Sequence, residues 1–455
     1  MDLVLRNGTV VNAHETFVGD VGIEGGTIKR VGFDLGPARK EIDCAGKLLF
    51  PGGVDVHTHA DIVLSGLQSA DDFYSATAAA ACGGITTIVD YAFPEPGQSI
   101  MGGIHAWIKK ATPKVVIDYG LHAVVFEPTD RNIAEMKDAV AEGHTSFKIF
   151  TTDLGKFEQF GPQYLKVMRE AGRLGAMVNI HCEDQCCLTY LAAEYQAANK
   201  TGPENFSSSR PPLAEGLAAS RVLRMTQLAD VPAYLVHLSH EEGLKALNEA
   251  RARGQTVYGE TRPIYLKFSE DKLLGDEARL FVSWPPLRSA DQMDILWQGL
   301  QSDVLQTVAT DHLGWLKEQK SVGHFVHELL PGASHLQTLL PLLYSDGVRK
   351  GKITAQKFVE VSSANPARLF GMYPRKGVIQ PGADADIVVF DAEKTVEIRL
   401  EDMKSKQDFE IYEGEKFTGW PVMTLSRGEI IVEDGVVKGA AGRGRLLKRT
   451  LHSEL

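Results

Sequence analysis

The chain has 455 residues, of which 44% are apolar and 24% charged, the make-up of an ordinary globular protein rather than a disordered or fibrous one. A net charge of −11 argues against nucleic acid or an anionic membrane as partner, and no run approaches the ~18 apolar residues a membrane helix needs. Five cysteines, an odd number in a long chain, do not suggest a disulfide framework, and the first residues lack a basic stretch followed by a long apolar one, so a cytoplasmic protein without a signal peptide is expected.

Residues 1–50 read as short alternating strands broken by Asn7-Gly8 and Gly25-Gly26, which are hairpin signals. Residues 51–59, PGGVDVHTH, form a short apolar strand ending in two histidines one residue apart. Residues i and i+2 of a strand share a face, so His57 and His59 can aim two imidazoles at one point. A metal ion is the common reason for that arrangement, although the pair alone is also compatible with two unrelated polar residues.

From 51 to about 370, strand-like runs (86–91, 115–119, 123–126, 146–150, 176–181, 233–237, 255–260, 304–310) alternate with amphipathic stretches (71–82, 132–142, 163–172, 215–229, 243–253). This repeated alternation predicts an α/β fold, a (β/α)8 TIM-like barrel, with a doubly wound open sheet as the alternative. No Gly-x-Gly-x-x-Gly marks a dinucleotide site. Cys182, Cys186 and Cys187 cluster in the middle of this region and read as buried free thiols on a helix rather than as a thiolate metal site. After about 376 the strand texture returns. The tail is expected to pair with the N-terminal strands, so that a barrel of residues 51–375 is inserted in a small discontinuous β-sandwich built from 1–50 plus 376–455. The basic end, Arg443 to Arg449, reads as a solvated or subunit-contacting tail.

Active sites of such barrels lie at the C-terminal ends of the strands. Polar residues that end apolar runs, or interrupt them, are therefore the ones to collect: His57, His59, Lys148, His181, His237 and Asp311. Each has an ordinary explanation taken singly, as a core histidine, a snorkelling lysine or a helix-capping aspartate. Jointly they would converge on one mouth. A lysine ammonium has no lone pair to offer a metal, but carbamylation by carbon dioxide would turn Lys148 into a carboxylate-like ligand able to bridge two cations. Nitrogen and oxygen donors in this number suit two divalent ions, most simply Zn2+.

The chain resembles the amidohydrolase superfamily, in the branch of hydantoinases, dihydropyrimidinases and allantoinases. The matching pieces include PGGVDVHTH (51–59), SFKIF (146–150), HCED (181–184), SRPPLAEGLAASR (209–221), VHLS (236–239), YGETRPIYL (258–266), PPLR (285–288), ATDH (309–312) and NPARLFGMYPRKGVIQPGADADIVVFD (365–391). The resemblance implies that His57, His59 and Asp311 hold one metal, that His181 and His237 hold the second, and that carbamylated Lys148 bridges them. It implies a bridging hydroxide that attacks a cyclic amide, with Asp311 as general base and then general acid, in a homo-oligomer, a tetramer by family habit. Linear amide hydrolysis of the D-aminoacylase or isoaspartyl-dipeptidase kind, allantoinase-like activity and a non-catalytic scaffold are the alternatives. The complete ligand set speaks against the scaffold.

Three positions depart from the branch. Asp153 stands five residues after Lys148, where hydantoinases carry an oxyanion-stabilising tyrosine. Trp284 replaces a serine before PPLR, and Glu328 replaces an asparagine of a Pro-Asn-Gly stretch. If all three face substrate, an amino, amidine or guanidine substituent would suit the two carboxylates. If Asp153 and Glu328 point away, Lys156 or Tyr164 would have to supply the donor.

Overall fold

The structure, a computed structural model, describes residues 1–453 and 455. Eight parallel strands form the central sheet: β1 (Gly53–Thr58), β2 (Ile85–Ala92), β3 (Asp118–Val124), β4 (Ser146–Phe150), β5 (Met177–His181), β6 (Ala233–Leu235), β7 (Val257–Thr261) and β8 (Thr307–Val308). They lie side by side in chain order, and the ring closes where β1 meets the end of β8: His59 N–H donates to the His312 carbonyl at 2.9 Å. Every residue of β1, β2, β4, β5 and β7 is buried, which is why these segments read as continuous apolar runs. The expected runs 115–119 and 123–126 are one strand, because Gly120 and His122 are tolerated inside the barrel wall.

Helices follow most strands and start where polar side chains cap them. Asp72 accepts from Tyr74 and Ser75 N–H ahead of Phe73–Cys82, and Asp184 accepts from Cys187 N–H ahead of Gln185–Ala197. Gly143 ends Asp130–Glu142 at φ +95°, a conformation open to glycine at little cost. Gln185–Ala197 carries Cys186, which is exposed rather than buried, and Cys187, which is partly so; all five cysteines are free.

The two ends of the chain meet in one nine-stranded sheet. Leu48–Pro51 pairs in parallel with Leu3–Val11 on one side and antiparallel with Ile387–Glu397 on the other. Leu5, Val21, Ile28, Leu49, Ile387 and Leu425 give this sheet its own core. Beyond Val437 the chain leaves the sheet. Leu447 N–H donates to the Tyr119 carbonyl at 2.7 Å, Arg449 reaches the Leu121 carbonyl and Ser146 Oγ at 2.6 and 3.0 Å, and Leu447 joins the inner cluster of Val54, Val89, Met177 and Val236. The tail is thus held rather than free, with Arg445 and Lys448 exposed to solvent but Leu447 and Arg449 buried, and it covers the N-terminal end of the barrel, opposite the histidine strand ends.

Candidate metal centre

The six collected residues line one cavity of about 70 Å³ at the C-terminal ends of the barrel strands. His57 and His59 come from β1 and its end, Lys148 from the middle of β4, His181 from the end of β5, and His237 and Asp311 from the turns after β6 and β8. His57 Nε2 and His59 Nε2 lie 3.0 and 2.9 Å from the same oxygen, Asp311 Oδ1. His181 Nδ1 faces His237 Nε2 at 2.9 Å. Four imidazole nitrogens and a carboxylate oxygen therefore point inward. His237 and Asp311 take positive φ angles of 43° and 49°, uncommon for non-glycine residues and typical of positions the surrounding structure holds for a purpose.

The outer ring nitrogens are anchored. Glu260, at 0% exposure, accepts from His57 Nδ1 at 2.7 Å, from the His237 backbone N–H at 2.9 Å and from the Tyr234 hydroxyl at 2.8 Å. Glu183 meets His181 Nε2 at 2.9 Å and is clasped by Arg210 through both oxygens. Carboxylates behind histidines fix the ring orientation and make it a better ligand. Burial works against the charge on Glu183, but Arg210 and His181 outweigh it and bring its carboxyl down to about 2. Burial lowers His59 to about 4 and His237 well below the usual imidazole range, so both are neutral and able to donate a lone pair. Nδ1 of each is buried without a hydrogen bond.

Lys148 is 1% exposed and its ammonium sits 4.9 and 5.0 Å from the Tyr91 and Phe150 rings. Burial lowers its amine to about 8, so a good fraction is neutral near physiological pH, the form that reacts with carbon dioxide. The donor set fits divalent ions: inward nitrogens, one acceptor oxygen, and a lysine in the wall of the same cavity. Another acidic group, Asp118, Asp384 and Asp386, does not invite an ion, because Lys376 Nζ already fills it at 2.8, 2.9 and 2.6 Å.

The three departures separate. Trp284 lines the cavity, with the Arg210 guanidinium 5.1 Å above its ring. Asp153 is exposed and lies in the outer groove beside Gln185, whose side chain accepts from its backbone N–H at 2.6 Å; its neighbours Thr152 and Leu154 line the inner cavity instead. Glu328 is exposed and folds back on its own turn, accepting from His324 and Phe325 N–H at 2.8 and 3.1 Å. The expectation of two carboxylates facing substrate therefore fails: spacing from Lys148 and from Pro331 gives chain position, while the local turns decide direction. Tyr164 is no substitute, since its buried hydroxyl is spent on the Gly155 and Val125 carbonyls.

Residues not collected from the sequence also matter here. Glu260 and Arg262 follow one another around the end of β7, and Arg262 lines the cavity with Nη1 3.2 Å from Asp311 Oδ2. Burial opposes its proximity effect, yet Arg262 and His57 hold the Asp311 carboxyl well below the usual range. The one signal for them was a pair of charged residues closing an apolar strand.

Comparison with known proteins places this geometry. The model of the amidohydrolase family matches residues 48–431. D-hydantoinase of Ralstonia pickettii is 38% identical over 458 aligned positions covering all of both chains. D-phenylhydantoinase of Escherichia coli is 38% identical, with 99% of this chain and 98% of that one covered. Among solved structures, dihydropyrimidinase of Brevibacillus agri superposes with a TM-score of 0.97 at 38% identity over the full length of both chains, and L-hydantoinase of Arthrobacter aurescens at 0.87 and 26%, covering 98% and 99%.

Proposed function

The chain belongs to the amidohydrolase family, and from that membership we propose that it opens a cyclic amide at its C–N bond, as its hydantoinase and dihydropyrimidinase relatives are named for doing. It is a hydrolase of carbon–nitrogen bonds outside peptides. The observation that carries the reading is the convergence of four histidines, Lys148 and Asp311 on one buried cavity at the active end of a barrel.

In this reading His57, His59 and Asp311 would hold one divalent ion and His181 and His237 a second, and a carbamate on Lys148 would supply oxygen donors to such ions. Carbamylation joins the neutral Lys148 amine to carbon dioxide and releases a proton, and the lowered amine pKa favours it. Such ions, most simply Zn2+, would bring the pKa of water near 7 and polarise an amide carbonyl. Asp311 takes the proton of the attacking water and passes it to the ring nitrogen as the carbonyl C–N bond breaks. Its Oδ2 is held by Arg262, which leaves Oδ1 toward the histidines. Phe150, Leu313 and Trp284 wall the cavity and keep bulk water from the reacting carbonyl.

The test is a screen of hydantoins, dihydropyrimidines and cyclic imides with protein reconstituted in divalent metal and bicarbonate, following loss of ring absorbance. At least one class is opened, and Asp311→Asn lowers kcat by about 10²–10⁴-fold. Absence of ring opening across the panel, or an Asp311→Asn enzyme as fast as the parent, overturns the reading. We also read the protein as a cytoplasmic homo-oligomer, a tetramer by family resemblance. Its five free cysteines support a reducing compartment, and no helix among the described residues is long and apolar enough to cross a membrane. Light scattering tests the assembly.

A further inference from the structure

The turn after β8 aims Asp311 at two histidines while Asp311 itself sits at φ 49°, a backbone conformation that persists only where its neighbours hold it. On one side Thr310 is held. Its N–H donates to Asp55 Oδ1 and its hydroxyl to the His57 carbonyl, each at 3.2 Å. On the other side stands His312, 0% exposed, whose carbonyl accepts from the His59 N–H at 2.9 Å. His312 therefore fixes the backbone of one histidine and one flank of Asp311.

His312 is gripped through both ring nitrogens. Nδ1 accepts from the His335 N–H at 3.4 Å, so the ring proton lies on Nε2, which donates to Asp71 Oδ2 at 3.1 Å. Asp71 is 1% exposed and all four of its acceptor sites are used. Oδ1 takes the Ser75 hydroxyl at 2.6 Å and the Lys406 N–H at 2.8 Å, and Oδ2 takes the Ser405 hydroxyl besides His312.

Both grips are backed by one segment. The terminal sheet sends no strand to the cavity, but the connection between its strands Ile387–Glu397 and Lys416–Ser426 reaches the loops around His312. Ser405 and Lys406 hold Asp71 on the Nε2 side. On the Nδ1 side Gln407 Oε1 accepts from the Ser334 N–H at 3.0 Å, and the Tyr412 hydroxyl meets His335 Nδ1 at 3.1 Å.

We propose that Asp71 is a positioning residue of the metal centre: through His312 it keeps Asp311 and His59 aimed into the cavity, and residues 405–412 complete that hold from the terminal domain. Asp71 does not line the cavity, so it acts only through His312. This rests on the ring-opening reading and adds a support to its machinery. Asparagine cannot replace Asp71, because its amide nitrogen would face a donor, either the Lys406 N–H or the His312 Nε2–H.

The test loads parent, Asp71→Asn, Ser405→Ala and Leu447→Ala proteins with Co2+ and bicarbonate. It reads kcat and KM on the ring amide opened best in the screen, the visible Co2+ bands, which report ligand geometry, and Tm. Leu447→Ala loosens the closed end of the barrel and is the control for lost stability alone, with parent kcat and bands at a lower Tm. Asp71→Asn lowers kcat about 10–100-fold, leaves KM within about twofold and shifts the bands, and Ser405→Ala does the same to a smaller degree. An Asp71→Asn protein with parent kcat and bands, or a Leu447→Ala protein that shifts them as far, overturns the proposal. If Asp71→Asn does not fold, Ser405→Ala decides: lowered kcat with shifted bands upholds the proposal, and parent values overturn it. If the parent binds Co2+ but opens no ring, the ring-opening reading is what fails, and the bands alone decide on Asp71: a shift in Asp71→Asn that Leu447→Ala lacks upholds it, and no shift overturns it. A parent that takes up no Co2+ overturns both.

Discussion

At the scale of single residues, the histidines owe their usefulness to the carboxylates behind them. Glu260 binds His57 Nδ1, the His237 backbone and the Tyr234 hydroxyl at once, so it sets the aim of one ligand from each half of the site. Replacing Glu260 by Gln removes the charge and leaves an amide that cannot accept all three donors. The expected result is a 10–100-fold weaker hold on divalent metal, read by competition with a chromogenic chelator. Unchanged affinity would mean that Glu260 serves packing alone. The convergence of the six collected residues on one cavity was legible in the sequence, since strand ends and the i, i+2 rule need only local information. Their supports were not: Glu260 is 203 positions from His57, and only barrel closure brings them together. Asp153 and Glu328 show the opposite failure. Their positions were read from neighbouring motifs, but the turn after β4 and the 324–328 turn aim both side chains away from the cavity.

At the scale of elements, most barrel strands were readable because burial on both faces demands an unbroken apolar run, and β8 was the least so, with only Thr307–Val308 in strand geometry out of an expected 304–310. The role of the last residues was not readable, since a basic string gives no hint that Arg449 is 2% exposed and Leu447 sits in an inner core. Leu447→Ala should cost about 2–4 kcal/mol by leaving a cavity at the closed end of the barrel, seen as a lower midpoint in urea, with metal content unchanged. A surface-like loss below about 0.5 kcal/mol would show that the tail is dispensable. The segment around Tyr412, whose hydroxyl meets His335 Nδ1 at 3.1 Å, carries a pH dependence of its own. Burial, reinforced by Glu413, raises the Glu410 carboxyl from 4.5 to about 7, although Tyr412 N–H donates to it at 3.0 Å. The folded protein then binds this proton more tightly than the unfolded chain, so stability contributed here is present below pH 4.5 and lost as pH rises through 7. Glu410→Gln should raise Tm more at pH 8 than at pH 4.5; an equal gain at both would detach the shift from folding.

At the scale of the whole molecule, the barrel has one end stopped by its own tail and the other left open to a cluster of inward nitrogens. The terminal sheet is built from strands between Leu3 and Pro51 and between Ile387 and Val437 and has its own core, so it stands apart from the chemistry. That division predicts how the protein answers to metal removal. The apolar clusters do not depend on an ion, so chelation should leave the far-ultraviolet circular dichroism of the barrel intact. The open end does depend on one. His57 is drawn to its charged form by Glu260 and Asp311 against burial, and His181 Nδ1 and His237 Nε2 share a single hydrogen bond at 2.9 Å where both lone pairs would otherwise be offered. An ion that binds only the folded chain at about 100 times its Kd adds about 2.7 kcal/mol of stability. For a chain of this length the loss should appear as a Tm lower by about 3 °C, together with complete loss of ring opening. Zn2+ with bicarbonate should restore both. Zn2+ in carbon-dioxide-free buffer should restore Tm in part but activity poorly, because Lys148 would remain an amine. Equal recovery in the two buffers would remove the carbamate from the site while leaving the four histidines in it.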